Sequence, residues 1–303
     1  MVHTLAMKLH PALSGAQLPW GERKPAALPP RCRNAAAFTL MEILVAMALL
    51  SVIVLGLIAM FGQTQGAFKV GMAQTDITES GRSVMQMVAR ELAEAVPSKS
   101  AVTNFSIRNS PFQALVQDLT GSTNSTPFRR TNFLQEVLFL IKQNKQWTAV
   151  GYRVGTQDAG FGSLYRLETN LAPSQLWAAW TIFDNTPITN FSHMADGIIH
   201  FRVRPYDTNG YPVPALVGLT NQQVFTVVSQ PSRELDYYYT SNSLPYALGI
   251  EIGILPPRMV ERVRALPDAT TRRTYLSRAA QSGAVEMYQQ RLTLPNVDPT
   301  AFP

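Results

Sequence analysis

Cysteine and histidine are scarce in this chain, and their scarcity removes several kinds of site. The one cysteine, Cys32, precedes the longest apolar run, and two of the four histidines, His193 and His200, follow it. A single cysteine cannot form a disulfide within the chain. A zinc site needs at least three converging ligands, and on a strand these two histidines would point along different parts of a sheet. We therefore expect no cofactor and no metal.

Motifs of other catalytic sites are missing or incomplete. Gly160–Leu164 lacks the closing glycine of a nucleophile elbow, and no phosphate-binding glycine loop is present. Asp207, Asn209 and Gly210 match half of a calcium loop, but the same residues are typical of a hairpin turn, which we favour. Tyr237–Tyr239 is either a partner-binding patch or a loop cluster folded onto a sheet. The sequence therefore predicts a protein that is not an enzyme.

The longest apolar run, Phe38–Phe61, contains a single ionisable residue, Glu42. As a helix it would be roughly 36 Å long, enough to cross a hydrocarbon core of ~30 Å. A carboxylate at the centre of such a helix costs roughly 2.5–3.5 kcal/mol on insertion scales. A function for Glu42 is therefore expected.

Residues 1–37 have the character of a leader. They carry five basic residues and one acidic residue, so they account for most of the net charge of +6, and they are rich in proline. This basic flank favours a cytoplasmic N-terminus and gives no reason to expect nucleic-acid binding.

The junction Ala37-Phe38-Thr39-Leu40-Met41-Glu42 resembles the processing site of type IV prepilins and type II secretion pseudopilins. The resemblance implies cleavage between Ala37 and Phe38 by a prepilin peptidase, with methylation of the new Phe38 amine. Glu42 would then meet the amine of a neighbouring subunit, so that two buried charges neutralise each other. Ala37 replaces the usual glycine, which predicts slower cleavage. The alternative is an ordinary signal-anchor whose Glu42 extends to the membrane interface.

Downstream, an amphipathic pattern over Met72–Val96 predicts a continuation of the helix that Pro97 ends, with glycines 56, 62, 66 and 71 allowing a bend or local melting. Residues 98–132 are polar and predict a connecting loop, with one short helix or strand near Phe112–Leu119. A period of two predicts antiparallel strands at Glu136–Lys142, Gln146–Val154, Ser163–Glu168, Gly197–Tyr206, Gln223–Val228 and Tyr246–Leu255. Helices at Pro257–Leu266 and Ala269–Gln281, the second capped by Asp268, precede a closing strand at Ala284–Leu294.

The predicted fold class is α+β, pilin-like. A long N-terminal transmembrane helix continues into an amphipathic half that packs on a mostly antiparallel β-sheet head. The expected divisions are a cleaved leader (1–37), a transmembrane helix (38–61), its amphipathic continuation (62–97), the head (98–255), and a C-terminal helical extension and tail (256–303).

The order of the head motifs, from Gly151–Val154 through Leu164–Arg166 and Asp196–Phe201 to Pro245–Glu251, resembles the J-type minor pseudopilins of type II secretion. This resemblance implies a structural subunit of a pseudopilus or pilus tip, with other pilins or pseudopilins and an inner-membrane assembly platform as partners. It also implies inner-membrane anchoring with a periplasmic head, followed by incorporation into a filament. The alternative is a membrane-anchored binding or enzymatic head on a prepilin-type anchor.

Overall fold

The computed structural model of the protein describes residues 39–98, 100–111, 114–119, 128–155, 159–214, 224–228 and 234–295. The predicted leader and Phe38 lie outside these ranges, as do the final residues 296–303. The chain divides into two compact units between Met60 and Phe61. The first unit contributes the start of an apolar helix to the described residues, and the second contains the rest of that helix and the whole head.

The described part of the chain begins with one long helix, continues with a large set of strands, and ends with three short helices and a last strand. In chain order they are α1 (Leu40–Ala93), β1 (Thr103–Asn109), β2 (Leu115–Asp118), β3 (Arg129–Asn132), β4 (Gln135–Gln143), β5 (Gln146–Gly155), β6 (Gly162–Leu171), α2 (Ala179–Asn185), β7 (Ser192–Tyr206), β8 (Val224–Val228), β9 (Leu235–Thr240), β10 (Ala247–Ile254), α3 (Pro257–Arg264), α4 (Ala269–Ser277), α5 (Ala279–Ser282) and β11 (Glu286–Thr293). Short 3-10 helices at Pro173–Ala178 and Ile188–Asn190 flank α2.

The sequence predicts a bend or local melting at glycines 56, 62, 66 and 71. Helix α1 is continuous through all four, so the expected local melting is wrong. It ends at Ala93, four residues before Pro97. There the chain leaves the helix because Ala95 forms a bridge with Ile141 and the Val96 N–H donates to the Leu140 carbonyl at 2.9 Å. Pairing with β4 thus begins where the helix ends, and Pro97 also prevents its continuation, because in a longer helix the proline ring would clash with the Ala93 carbonyl.

The strands other than β2 and β3 form the main sheet, in the order β11-β10-β7-β6-β5-β4-β1-β9-β8 among the described residues. Every neighbouring pair in it is antiparallel, as the period-two pattern predicts. The predicted strands of the sequence pattern all form, with bounds shifted by three residues at most, except that β7 begins five residues before its predicted start. An α+β head of this kind agrees with a pilin-like fold, and the predicted fold class is confirmed.

One face of the main sheet packs against the second part of α1. Val88 and Leu92 of the helix are fully buried against a layer that includes Phe105, Val137 and Ile252. The apolar stripe predicted for this part of the helix is thus the one that is buried, while Arg82, Gln86 and Arg90 are exposed. Burying such a stripe supplies most of the stability of a surface helix.

The opposite face is covered by the segment of residues 171–190. We call its three short helices, from Pro173 to Asn190, the flap. Leu176, Ala179 and Phe183 of the flap are buried against Leu138 and other residues of β4 to β6. The main sheet is therefore enclosed on both faces at its centre.

Three strands contradict the sequence expectations, and one of them is β3, which lies within the predicted loop over residues 98–132. Residues 103–109 form β1 in the middle of the main sheet, where a connecting loop was predicted, and Phe105 and Ile107 are fully buried there. Tyr237–Tyr239 lie in β9 and not in a loop, with Tyr239 buried and Tyr238 stacked on Phe225 at 4.8 Å between ring centroids. In β1 and β9 every second residue faces the α1 side, so tertiary packing decides the conformation.

The C-terminal part agrees with most of its predicted elements. Helices α3 and α4 form, and the Asp268 side chain accepts from the Thr271 N–H at 2.8 Å, which is the predicted cap. The predicted helix over Ala269–Gln281 is interrupted at Arg278, whose extended backbone separates α4 from α5. The predicted closing strand is β11, which pairs with β10.

Candidate functional site

Helix α1 begins with a capping motif that fixes the position of Glu42. Thr39 is the residue before the helix, and its side-chain oxygen and carbonyl both accept from the Glu42 N–H, at 3.3 Å and 3.0 Å. Thr39 and Glu42 have the spacing of a capping box, in which a threonine is followed three residues later by a glutamate. The carboxylate is exposed in the first turn, where the helix dipole favours a negative charge. Ala37 and Phe38 lie outside the described residues.

The helix that follows Glu42 is apolar and unburied. Leu40–Lys69 is long and apolar enough to cross a membrane, and in the described part of the chain no other helix meets that condition. No residue in its most apolar window is buried. A helix with exposed apolar residues on all sides indicates membrane anchoring, as expected for a pilin-type signal anchor.

A buried ion pair fixes the end of α1 to the main sheet, and the sequence analysis missed it. Glu91 is 8% exposed and accepts from the Tyr152 hydroxyl at 2.5 Å and from Arg166 Nε at 2.9 Å. Arg166 also contacts Glu168 at 2.7 Å. Burial and the bond to Glu91 raise the pKa of Tyr152, so the phenol is neutral. Glu91 follows Val88 by three residues and Val84 by seven, so it lies on the apolar stripe, and a carboxylate at such a position is the signal that could have identified it.

The flap is held by a ladder of alternating charges on the second face of the main sheet. Arg108 contacts Glu136 at 2.9 Å and Asp184 at 2.5 Å, and Arg153 contacts the same two carboxylates at 3.0 Å and 3.3 Å. Arg108 also stacks 3.6 Å from the Trp180 ring. The two arginines therefore connect β1, β5 and the flap, a structural function.

His200 is buried in a single neutral form. The Phe133 N–H donates to its Nδ1 at 3.2 Å, so the proton is on Nε2, which donates to Glu251 at 3.2 Å. Burial lowers the pKa of His200, and the bond to Glu251 offsets this only in part. His193 lies on the exposed part of β7 and does not share these partners, so the two histidines do not form one site.

Ser163, Asp196 and His193 lie together but in an order unsuited to nucleophilic catalysis. The Ser163 hydroxyl donates to Asp196 Oδ1, and His193 Nε2 contacts that same oxygen at 3.3 Å. The bond from Ser163 lowers the pKa of Asp196. In a catalytic triad the imidazole lies between the hydroxyl and the carboxylate. Here the hydroxyl donates to the carboxylate and not to the imidazole, so these three residues do not have the triad arrangement.

Asp207–Gly210 forms the predicted turn. The Asp207 carboxylate accepts from the N–H groups of Asn209 and Tyr211, at 3.0 Å and 2.8 Å, and Gly210 has a φ of +82°. One oxygen of the carboxylate, Oδ1, is thus bound by its own turn. Within the described ranges, no group of three histidine, cysteine, aspartate or glutamate side chains is placed to hold a metal ion.

Comparison with known families identifies the N-terminal segment. Residues 32–58 match the family described as the prokaryotic N-terminal methylation motif. The comparisons with curated proteins and with solved structures gave no match. The matched segment contains Ala37, Phe38 and Glu42 and continues into the apolar helix. It supports a type IV pilin-like precursor that is processed by prepilin peptidase, and proteins of this kind are generally structural and assemble with other pilins.

Proposed function

We propose that this protein is a minor pilin-like subunit, most similar to the J-type pseudopilins, that assembles through its N-terminal helix at the tip of a type II secretion pseudopilus or a type IV pilus-like filament. The observation that carries the proposal is the methylation motif over residues 32–58, followed directly by an unburied apolar helix. The partners are prepilin peptidase, other minor and major pilins or pseudopilins, and the inner-membrane assembly platform. The divisions 1–37, 38–61, 62–97, 98–255 and 256–303 belong to this proposal.

On this proposal cleavage between Ala37 and Phe38 leaves one residue ahead of the Thr39 cap. The methylated Phe38 amine is then a positive charge beside the positive end of the helix dipole, which is unfavourable out of water. The Glu42 carboxylate of a neighbouring subunit neutralises it. Because each chain has one amine and one such carboxylate, the pairing sets the axial register between neighbouring helices.

The head remains periplasmic and determines which subunit binds beside it, while α1 provides the helix contact that all subunits of the filament share. A subunit incorporated through α1 must keep its head attached to that helix, and Glu91 provides the attachment. The buried bonds from Tyr152 and Arg166 provide this connection. The mechanism is thus assembly and not a reaction.

Replacing Glu42 with alanine tests the register mechanism. We expect normal membrane insertion and normal cleavage, but loss of incorporation into filaments, measured by co-sedimentation with sheared filaments. Ser51→Ala is the matched control, because Ser51 lies in the same apolar helix and its hydroxyl donates to the Met47 carbonyl one turn earlier. Wild-type incorporation of the Glu42→Ala variant would contradict the mechanism.

A further inference from the structure

The edge of the main sheet formed by β11 has unpaired backbone groups on its outer side. The Leu294 N–H donates to the Tyr246 carbonyl at 3.0 Å, and the register pairs Leu292 with Leu248 and Gln290 with Ile250. In an antiparallel ladder the bonded residues alternate. The N–H and C=O groups of the remaining β11 residues therefore point away from β10; these are Met287, Gln289, Arg291 and Thr293. No other backbone group in the described ranges bonds to them.

This edge lacks most of the usual protections against strand pairing, its charged residues being Glu286 at one end and Arg291. β11 pairs with β10 over eight consecutive residues without a bulge, and it contains no proline and no lysine. The Arg291 side chain stacks 4.1 Å from the Tyr206 ring and donates to the Gly210 carbonyl at 3.3 Å, so it lies back over the main sheet. Protected edges are short, bulged, charged or covered. This edge is suited to accept a further strand.

The other end of the main sheet, β8, is a shorter edge than β11. It is five residues long, and Thr226 at its centre already has a bonding partner. The unpaired outer groups of β11 recur about every 6.8 Å along the strand, a spacing that matches an extended chain and no small ligand.

The neighbours of β11 indicate which protein supplies the strand. Tyr288 packs where the absent side chain of Gly81 would lie, and its hydroxyl donates to the Ile77 carbonyl of α1 at 3.3 Å. The edge is therefore adjacent to the helix through which, on the proposed function, neighbouring subunits assemble. A second copy in two-fold antiparallel pairing fits poorly, because the head-packed parts of the two α1 helices would run in opposite directions, whereas chains inserted in one membrane share one direction.

We infer that the β11 edge binds an edge strand of a different, neighbouring pilin-like subunit and so extends the main sheet across the two heads. This inference rests on the proposed function. The bound strand has apolar residues facing Tyr288 and Leu292 on the α1 side and polar residues on the other side, where Gln289 and Arg291 lie. Backbone bonds supply the affinity, and the alternation of side chains supplies the choice of partner.

The test compares two substitutions at one residue of the full-length chain in its native host. Gln289→Pro removes an outward N–H that has no partner in the described head, so the fold tolerates it. Gln289→Ala keeps that N–H and removes the side chain. Each is combined with a photo-crosslinking p-benzoylphenylalanine at Thr293 of β11, and the same crosslinker at the exposed Lys145 turn serves as the position control.

The expected result is an adduct between the Thr293 position and a second protein that itself has a cleaved prepilin-type N-terminus. We expect Gln289→Pro to lower its yield about tenfold, which is the loss of roughly 1.4 kcal/mol, while Gln289→Ala leaves it near the wild-type yield. Unchanged thermal unfolding of Gln289→Pro excludes misfolding as the cause.

Four results would overturn the inference: no adduct, an adduct with a second copy, a link to residues 296–303 of the same chain, or a yield that proline does not change. The wild-type chain separates this failure from failure of the proposed function. If wild type is processed and enters filaments while proline has no effect, the edge inference alone is wrong. If wild type is not processed, the proposed function is wrong.

Discussion

The bond network around Glu91 gives the sharpest stability prediction. Glu91→Ala leaves the buried Tyr152 hydroxyl without its acceptor and leaves Arg166, whose side chain is 14% exposed, with only the partly exposed Glu168 as a carboxylate partner. Breaking a buried ion pair by removing one partner costs roughly 3–5 kcal/mol. Because the Glu168 contact survives, we expect the lower end, a loss of about 3 kcal/mol in the free energy of unfolding.

Urea unfolding of the full-length chain in detergent, followed by tryptophan fluorescence, measures this loss. The matched control is Glu94→Ala, three residues further along the chain and exposed, for which we expect a change within about 0.5 kcal/mol. Tyr152→Phe should cost roughly 1–2 kcal/mol alone and less in the Glu91→Ala background, because the two groups share one bond. Equal effects of Glu91→Ala and Glu94→Ala would refute the reasoning.

Three further predictions concern pH, packing and processing. Because burial lowers the pKa of His200, the unfolded chain binds a proton that the folded chain does not, so the free energy of unfolding should fall as the pH drops below about 6.5. His200→Gln should remove this component; an unchanged slope would contradict it. Gly151→Ala should lower the free energy of unfolding by about 1–3 kcal/mol, measured by urea unfolding, because the new Cβ would lie 2.3 Å from a ring carbon of Phe183 in the flap. Wild-type stability would mean that the flap does not pack closely on β5. Ala37→Gly should speed leader cleavage in a pulse-chase experiment, and a slower rate would argue against the assigned junction.

The sequence predicts those elements whose local pattern and tertiary environment agree. Strand β10 alternates apolar residues with glycine or glutamate over Leu248–Ile254, because its apolar face packs on the α1 side. Strand β4 is apolar over Val137–Ile141, because it is buried on both faces. The Asp268 cap and the turn at Asp207 depend on side chains bonding to nearby backbone, which local sequence specifies directly. The motif from Ala37 to Glu42 is likewise a pattern of consecutive residues, which the sequence shows directly.

The sequence does not predict elements whose partners are distant. β1 is surrounded by polar residues, and only its place between β4 and β9 buries Phe105 and Ile107. The flap and its charge ladder join Asp184 to arginines far away in the sequence, so no local pattern reveals them. The partners of Glu91 are equally distant in the sequence, because Tyr152 and Arg166 lie on the neighbouring strands β5 and β6.

The mature N-terminus of the protein purified from its native host tests the central claim most directly. Mass spectrometry of the N-terminal peptide should show a chain that begins at Phe38 and carries one methyl group on its amine. A chain that retains Met1, or that begins at any residue other than Phe38, would contradict the account.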